Sequence, residues 1–171
     1  MCTEGGKILF LIGFMGAGKS AVLSLLSEKL ACLSVDLDEL IVEGEGRTIP
    51  DIFATGGEDL FRTIEARTLN HALLQGYRLI STGGGIVTRP ENMDLMRQQG
   101  IMVYLRAEFD TLVHRIGEGS GRPLASGSLD ELRALFLSRE TLYESAPLVV
   151  DTDEKSVAEV VSEILANISL G

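Results

Sequence analysis

The sequence predicts an α/β fold in three layers, a five-stranded parallel sheet with helices on both faces. Three observations lead there. Five short apolar runs, at residues 8–12, 33–35, 78–81, 101–105 and 148–150, alternate with helical patterns, the signature of parallel strands joined by helical crossovers. The runs carry little polar alternation, as expected of strands covered on both faces. Residues capable of chemistry follow directly after four of the five runs, and in such sheets ligands collect beyond the strand C-termini. At 171 residues, the chain is of single-domain length.

The first run leads into Gly13-Phe14-Met15-Gly16-Ala17-Gly18-Lys19-Ser20, a glycine, four residues, then Gly-Lys-Ser, which is the phosphate-cradling loop pattern. A helix follows, with Val22, Leu25, Leu26 and Leu30 on one side, so strand, turn and helix stand in the order the loop requires. Gly13, Gly16 and Gly18 allow the backbone to approach a phosphate. The loop amides, Ala17 among them, point into a concavity at the positive end of the helix dipole. Lys19 supplies a charge for the β- and γ-phosphates, and the Ser20 hydroxyl is placed to ligate Mg2+.

The second run ends at Asp36-Leu37-Asp38. In extended chain the two carboxylates project the same way, one for a metal and one for an acceptor hydroxyl; capping of the next helix explains them equally well. Asp151, after the fifth run, is a rival for the metal. Thr48 is a candidate N-cap with Pro50 in the first turn, Gly56-Gly57 breaks the helix, and a longer helix runs over residues 58–74. Arg62 and Glu65 lie on it, one turn beyond Glu58, and a surface ion-pair ladder accounts for them as well as a site does. The third run opens into Gly83-Gly84-Gly85, bare backbone against which a ligand can lie. Residues 117–127 hold four glycines and two serines around Arg122-Pro123, the composition of a mobile loop.

Net charge is −10, which excludes a nucleic-acid or anionic-membrane surface as the main business of the chain. Of the 15 cationic residues, 11 are arginine, the side chain suited to planar carboxylates and phosphates. Cys2 and Cys32 lack metal spacing and are too few for a disulfide framework, so reduced thiols in a cytoplasmic protein are expected. No apolar window of membrane-spanning length occurs.

Taken together, the phosphate loop with Asp-Leu-Asp, Gly57-Glu58 followed by Phe61-Arg62-x-x-Glu65, Gly83-Gly84-Gly85, Arg122-Pro123-Leu124, and Arg139 with Tyr143 and Ala146 resemble the shikimate kinases, P-loop enzymes of the nucleoside-monophosphate-kinase type. The motifs cover nearly the whole chain in the family's order. The resemblance implies a single domain over residues 1–171, strand order 2-3-1-4-5, substrate-binding helices at about 37–75 and a lid at about 117–127. It implies transfer of the γ-phosphoryl of ATP to the 3-hydroxyl of shikimate, with Mg2+, in a monomer without nucleic-acid or membrane partners. Carried over, Lys19, Asp38 and Arg122 are catalytic, and Ser20 and Asp36 serve the metal, Asp36 through water. Arg62 and Arg139 grip the carboxylate, Glu65 orients Arg62, Gly83 to Gly85 line the ring, and Arg115 lies near the adenine. A gluconate kinase and a nucleotide-binding regulator without catalysis are the alternatives.

Overall fold

The computed structural model describes residues 6–119 and 128–168, with the side chains of residues 118 and 119 left aside. Strands β1 (Ile8–Ile12), β2 (Ser34–Asp36), β3 (Leu79–Ser81), β4 (Gly100–Arg106) and β5 (Leu148–Asp151) form one sheet. Its order is β2-β3-β1-β4-β5 and every pairing is parallel, as expected. All five residues of β1 are buried. Successive strand side chains point to opposite faces, so the central strand is covered on both.

Helices α1 (Lys19–Leu30), α2 (Leu37–Glu45), α3 (Ile49–Leu74), α4 (Pro90–Gln99), α5 (Phe109–Gly119), α6 (Leu129–Glu144) and α7 (Val157–Asn167) supply that cover. Three of them start on reciprocal caps. Thr48 accepts from the Asp51 amide while the Asp51 carboxylate accepts from the Thr48 amide, and Ser128 with Glu131 and Ser156 with Glu159 repeat the device. Each cap satisfies two amides that a helix start leaves open. The expected break at Gly56-Gly57 is a kink inside α3, where Gly57 takes φ 66° and ψ −164°.

Two apolar clusters result. The larger joins the sheet to all seven helices, Leu37 of α2 and Leu69 and Ala72 of α3 included, with Tyr104 and Tyr143 stacked at 5.1 Å inside it. The smaller holds Ile41 of α2 and Ile52, Phe61 and Ile64 of α3. Helices α2 and α3 thus share a small apolar cluster in addition to their anchor in the main core through Leu37, Leu69 and Ala72.

Two expectations need correction. Leu33 is 64% exposed and stands outside β2, which begins one residue later and ends on Asp36. Gly117, expected in a loop, belongs to α5; the rest of the proposed lid, with Arg122, falls largely outside the described residues. Cys32 is buried, and the expectation of reduced thiols turns on Cys2, which lies outside the described residues.

Candidate active site

The phosphate loop links β1 to α1, and its geometry follows from its glycines. Gly16 has φ 81°, and a Cβ there would lie 2.9 Å from the Leu112 carbonyl and 3.0 Å from the Ile116 side chain, so the loop can press against α5 only without a side chain. Gly18, also left-handed, caps α1 without any side-chain hydrogen bond. The first amides of α1 therefore remain available at the positive end of its dipole. The Ala17 amide is turned to the Phe14 carbonyl at 3.3 Å. Lys19 Nζ donates to the carbonyls of Gly13 at 2.7 Å and Phe14 at 2.9 Å. Burial lowers its pKa to about 8, against the opposing pull of Asp38 and Asp36.

Asp36 and Asp38 do line one cavity, yet not for the expected reason. Asp36 is the last residue of β2, while Asp38 is already in the first turn of α2. Asp36 caps that helix, its Oδ1 accepting the Asp38 amide at 2.9 Å. Its Oδ2 accepts from Ser81 Oγ at 2.8 Å and lies 3.4 Å from Ser20 Oγ. Asp151, the rival for the metal, is instead paired with Arg106 through both carboxylate oxygens, at 2.5 and 2.9 Å, and does not line this cavity.

The cavity is about 410 Å3, and its walls include the phosphate loop, Asp36, Asp38, Gly83, Gly84 and Arg139. Asp38 Oδ1 is buried without a hydrogen-bond partner, and so is Glu65 Oε1. A Cβ on Gly83 would stand 2.9 Å from the first and 3.0 Å from the second, so the two orphan acceptors flank this glycine. An unpaired buried acceptor is costly, and two beside one turn mark a place where a ligand's donors belong. Burial, reinforced by Asp36, raises the Asp38 pKa, with Lys19 and Arg62 pulling it back; burial also raises that of Glu65 against the pull of Arg62.

Arg62 stands behind this wall. It is 8% exposed and held by Glu58 Oε1 at 3.1 Å and Glu65 Oε2 at 2.7 Å. Its guanidinium occupies the space where a Cβ on Gly85 would be, 1.9 Å from Nη2. The ladder expected on the surface is thus largely buried, and Gly85 is the concession to it. Across the cavity, Arg139 of α6 is half-buried and lies with Tyr143 beside Gly84, whose carbonyl accepts from the Tyr143 hydroxyl. A smaller cavity of about 180 Å3 opens on the other side of Gly18, lined by Ala17, Val22, Arg115, Thr152 and Lys155. There Arg115 donates to Thr152 Oγ1 at 2.9 Å and to its carbonyl at 2.7 Å.

Sequence reasoning missed Ser81, Thr82 and Thr152, each at a strand end. Thr82 ties β3 to β1 twice, its amide and Oγ1 reaching the Leu11 carbonyl at 3.1 and 2.9 Å. Their one signal in the sequence is position, immediately at or after an apolar run.

Comparison with known proteins closes the question of family. The shikimate kinase family model matches residues 15–169. A shikimate kinase of Sulfurihydrogenibium sp. is 38% identical over 95% of this chain and 98% of its own. One from Symbiobacterium thermophilum is 43% identical over 92% and 93%. Among solved structures, a shikimate kinase from Acinetobacter baumannii in complex with shikimate superposes with a TM-score of 0.85 at 35% identity, covering 95% of this chain and 92% of that one. A gluconokinase from Sinorhizobium meliloti reaches 0.61 at 18% identity, over 94% and 90%, a likeness of fold alone. The chain belongs to the shikimate kinase family and is an ATP-dependent kinase.

Proposed function

We propose that this chain transfers the γ-phosphoryl of ATP to the 3-hydroxyl of shikimate, giving shikimate 3-phosphate and ADP. The observation that carries the proposal is the unpartnered Oδ1 of Asp38, buried beside Gly83 in the same cavity as the phosphate loop. A carboxylate so placed accepts the acceptor hydroxyl and takes its proton as the oxygen bonds to phosphorus. Arg139 on α6 and Arg62 on α3 are the two guanidiniums that grip the carboxylate at the other end of the ring, Arg62 aimed by Glu58 and Glu65. A guanidinium fork matches a carboxylate in a way that an ammonium does not. Gly83, Gly84 and Gly85 lie along the ring between these ends.

On the donor side, the loop of residues 13–20, through the open first amides of α1, and Lys19 hold the phosphates, and the Arg115 cavity across Gly18 takes the adenine. Ser20 Oγ and Asp36 Oδ2, 3.4 Å apart beside the loop, are hard oxygen donors. They fit Mg2+, which takes few protein ligands and keeps water and phosphate for the rest. Bound there, Mg2+ would neutralise the charge that develops on the transferring phosphoryl. Arg122, from the glycine-rich segment, is assigned to the phosphates on the family resemblance, and residues 37–75 and 117–127 are assigned as substrate-binding helices and lid on the same ground.

The family resemblance supports a monomer without nucleic-acid or membrane partners. No helix among the described residues is long and apolar enough to cross a membrane. The supply of ATP supports a cytoplasmic place.

The test is ADP release measured with shikimate and with gluconate separately, repeated for Asp38→Asn. Turnover on shikimate alone is expected, with Asp38→Asn losing kcat while ATP affinity holds. Because the Asp38 pKa is raised, the acid limb of kcat should lie above the ordinary carboxylate range. Turnover on gluconate in place of shikimate would overturn the substrate. A loss confined to ATP affinity would show that Asp36 and Asp38 have been exchanged.

A further inference from the structure

We propose that Ser81 is a positioning residue for the metal, holding the Asp36 carboxylate so that it faces Ser20; this rests on the assignment of Asp36 to the metal made above. Ser81 is the last residue of β3, with no exposed surface, and lies in register between Leu11 of β1 and Asp36 of β2. It is therefore clamped from both sides. Asp36 is in a different position. It ends a three-residue strand at the sheet's edge and is half-exposed. A carboxylate there turns about two side-chain bonds unless something stops it.

Two contacts stop it. The Asp38 amide holds Oδ1 at 2.9 Å, and Ser81 Oγ holds Oδ2 at 2.8 Å. The first contact alone leaves the plane of the carboxylate able to swing about that oxygen. With the second made, Oδ2 has one lone pair on Ser81 and the other turned to Ser20 Oγ, which donates to it across 3.4 Å. A buried hydroxyl needs a partner in any case. Here the partner is a side chain on the neighbouring strand, and the nearby Leu11 carbonyl is already taken by Thr82. The hydroxyl of Ser81 thus transmits the rigidity of a central strand to a carboxylate on an edge strand. Outer groups that orient ligands of a metal typically carry ten- to a hundredfold in affinity.

The test uses Mn2+ as the probe, its affinity for the enzyme–ADP complex read by electron paramagnetic resonance in the wild type, Ser81→Ala, Asp36→Asn and the double variant. ADP affinity without metal is measured alongside. Ser81→Ala should weaken Mn2+ by about tenfold, leave metal-free ADP affinity unchanged, and add nothing on top of Asp36→Asn. An unchanged Mn2+ affinity in Ser81→Ala, with Asp36→Asn impaired, leaves Asp36 in its role and overturns Ser81. So does a Ser81→Ala loss of the same size in both backgrounds, or one shared by metal-free ADP, since either shows Ser81 acting otherwise than through Asp36. An Asp36→Asn protein that binds Mn2+ normally removes the metal from Asp36, and the inference falls with it.

Discussion

The phosphate loop and the α2–α3 pair face each other across one cavity, but they are seated differently. Phe14 and Ala17 of the loop are 1% and 2% exposed and belong to the main core, with Phe14 edge-on to Phe136 at 5.4 Å. The pair that carries Asp38, Arg62 and Glu65 is anchored in the main core by Leu37, Leu69 and Ala72, but between these anchors it gathers around a second cluster of Ile41, Ile52, Phe61 and Ile64, and α3 is kinked at Gly57. The phosphate grip is made mostly of backbone held by the core. The acceptor grip is made of side chains on a smaller unit. Such a division lets the acceptor half adjust to its ligand while the phosphates stay fixed, because locally cored units open at lower free energy than the global core.

If that contrast holds, damage to the two sides should read out differently. The largest effect is expected at Lys19. Lys19→Ala should lower kcat about a thousandfold, the order seen when a preorganised charge is removed from a transition state, with circular dichroism and shikimate affinity intact. A folded Lys19→Ala enzyme of near-normal turnover would remove Lys19 from the chemistry.

Next comes Ile52, which is fully buried in the small cluster. Truncation of a buried isoleucine to alanine costs about 2–5 kcal/mol. In Ile52→Ala that loss should concentrate in residues 37–64, seen as faster amide exchange there and weaker shikimate binding, while exchange in β1 and ATP affinity hold. Loss spread evenly into β1 and α1 would make the two regions one cooperative unit and end the comparison.

The same division decided what could be foreseen from sequence. The nucleotide side rests on local pattern, a strand, eight residues and a helix, and that pattern reads directly. The strand order was legible through the motifs taken together. What escaped depends on contacts between segments far apart in the chain. Ser81 reaches Asp36 across 45 residues and Tyr143 reaches Gly84 across 59, and neither leaves a periodicity. The Asp36–Asp38 geometry went astray by one residue of strand, because Leu33 is apolar and looked like strand yet is exposed. Shifting the strand made Asp36 a helix cap, which brings the two acids together by another route. The burial of Arg62 and Glu65 was hidden for a similar reason: spacing on a helix shows which residues neighbour each other, not what covers them.

A smaller effect sharpens the acceptor side. Arg139→Lys keeps the charge but loses the planar fork, so KM for shikimate should rise about tenfold with kcat little changed, as when ground and transition states lose the same contact. An unchanged KM would place the carboxylate on Arg62 alone.

The mildest prediction returns to Lys19 and to pH. Burial holds its pKa near 8 in the free enzyme, so the ammonium that meets the phosphates is only part of the population once pH passes that value. Binding of nucleotide favours the charged form, hence ATP must recruit a proton above it. The sign follows from linkage: when the bound state carries one proton more than the free state, affinity falls by up to about tenfold per pH unit. ATP affinity should therefore be flat just below pH 8 and decline above it, at constant ionic strength. Asp38 reaches Lys19 only through charge, so shikimate affinity should show a much shallower slope. Lys19→Arg supplies the control, because a guanidinium keeps its proton throughout this range. If its ATP affinity declines along the same curve as the wild type, another group is titrating, and the lowered pKa of Lys19 is not what nucleotide binding senses.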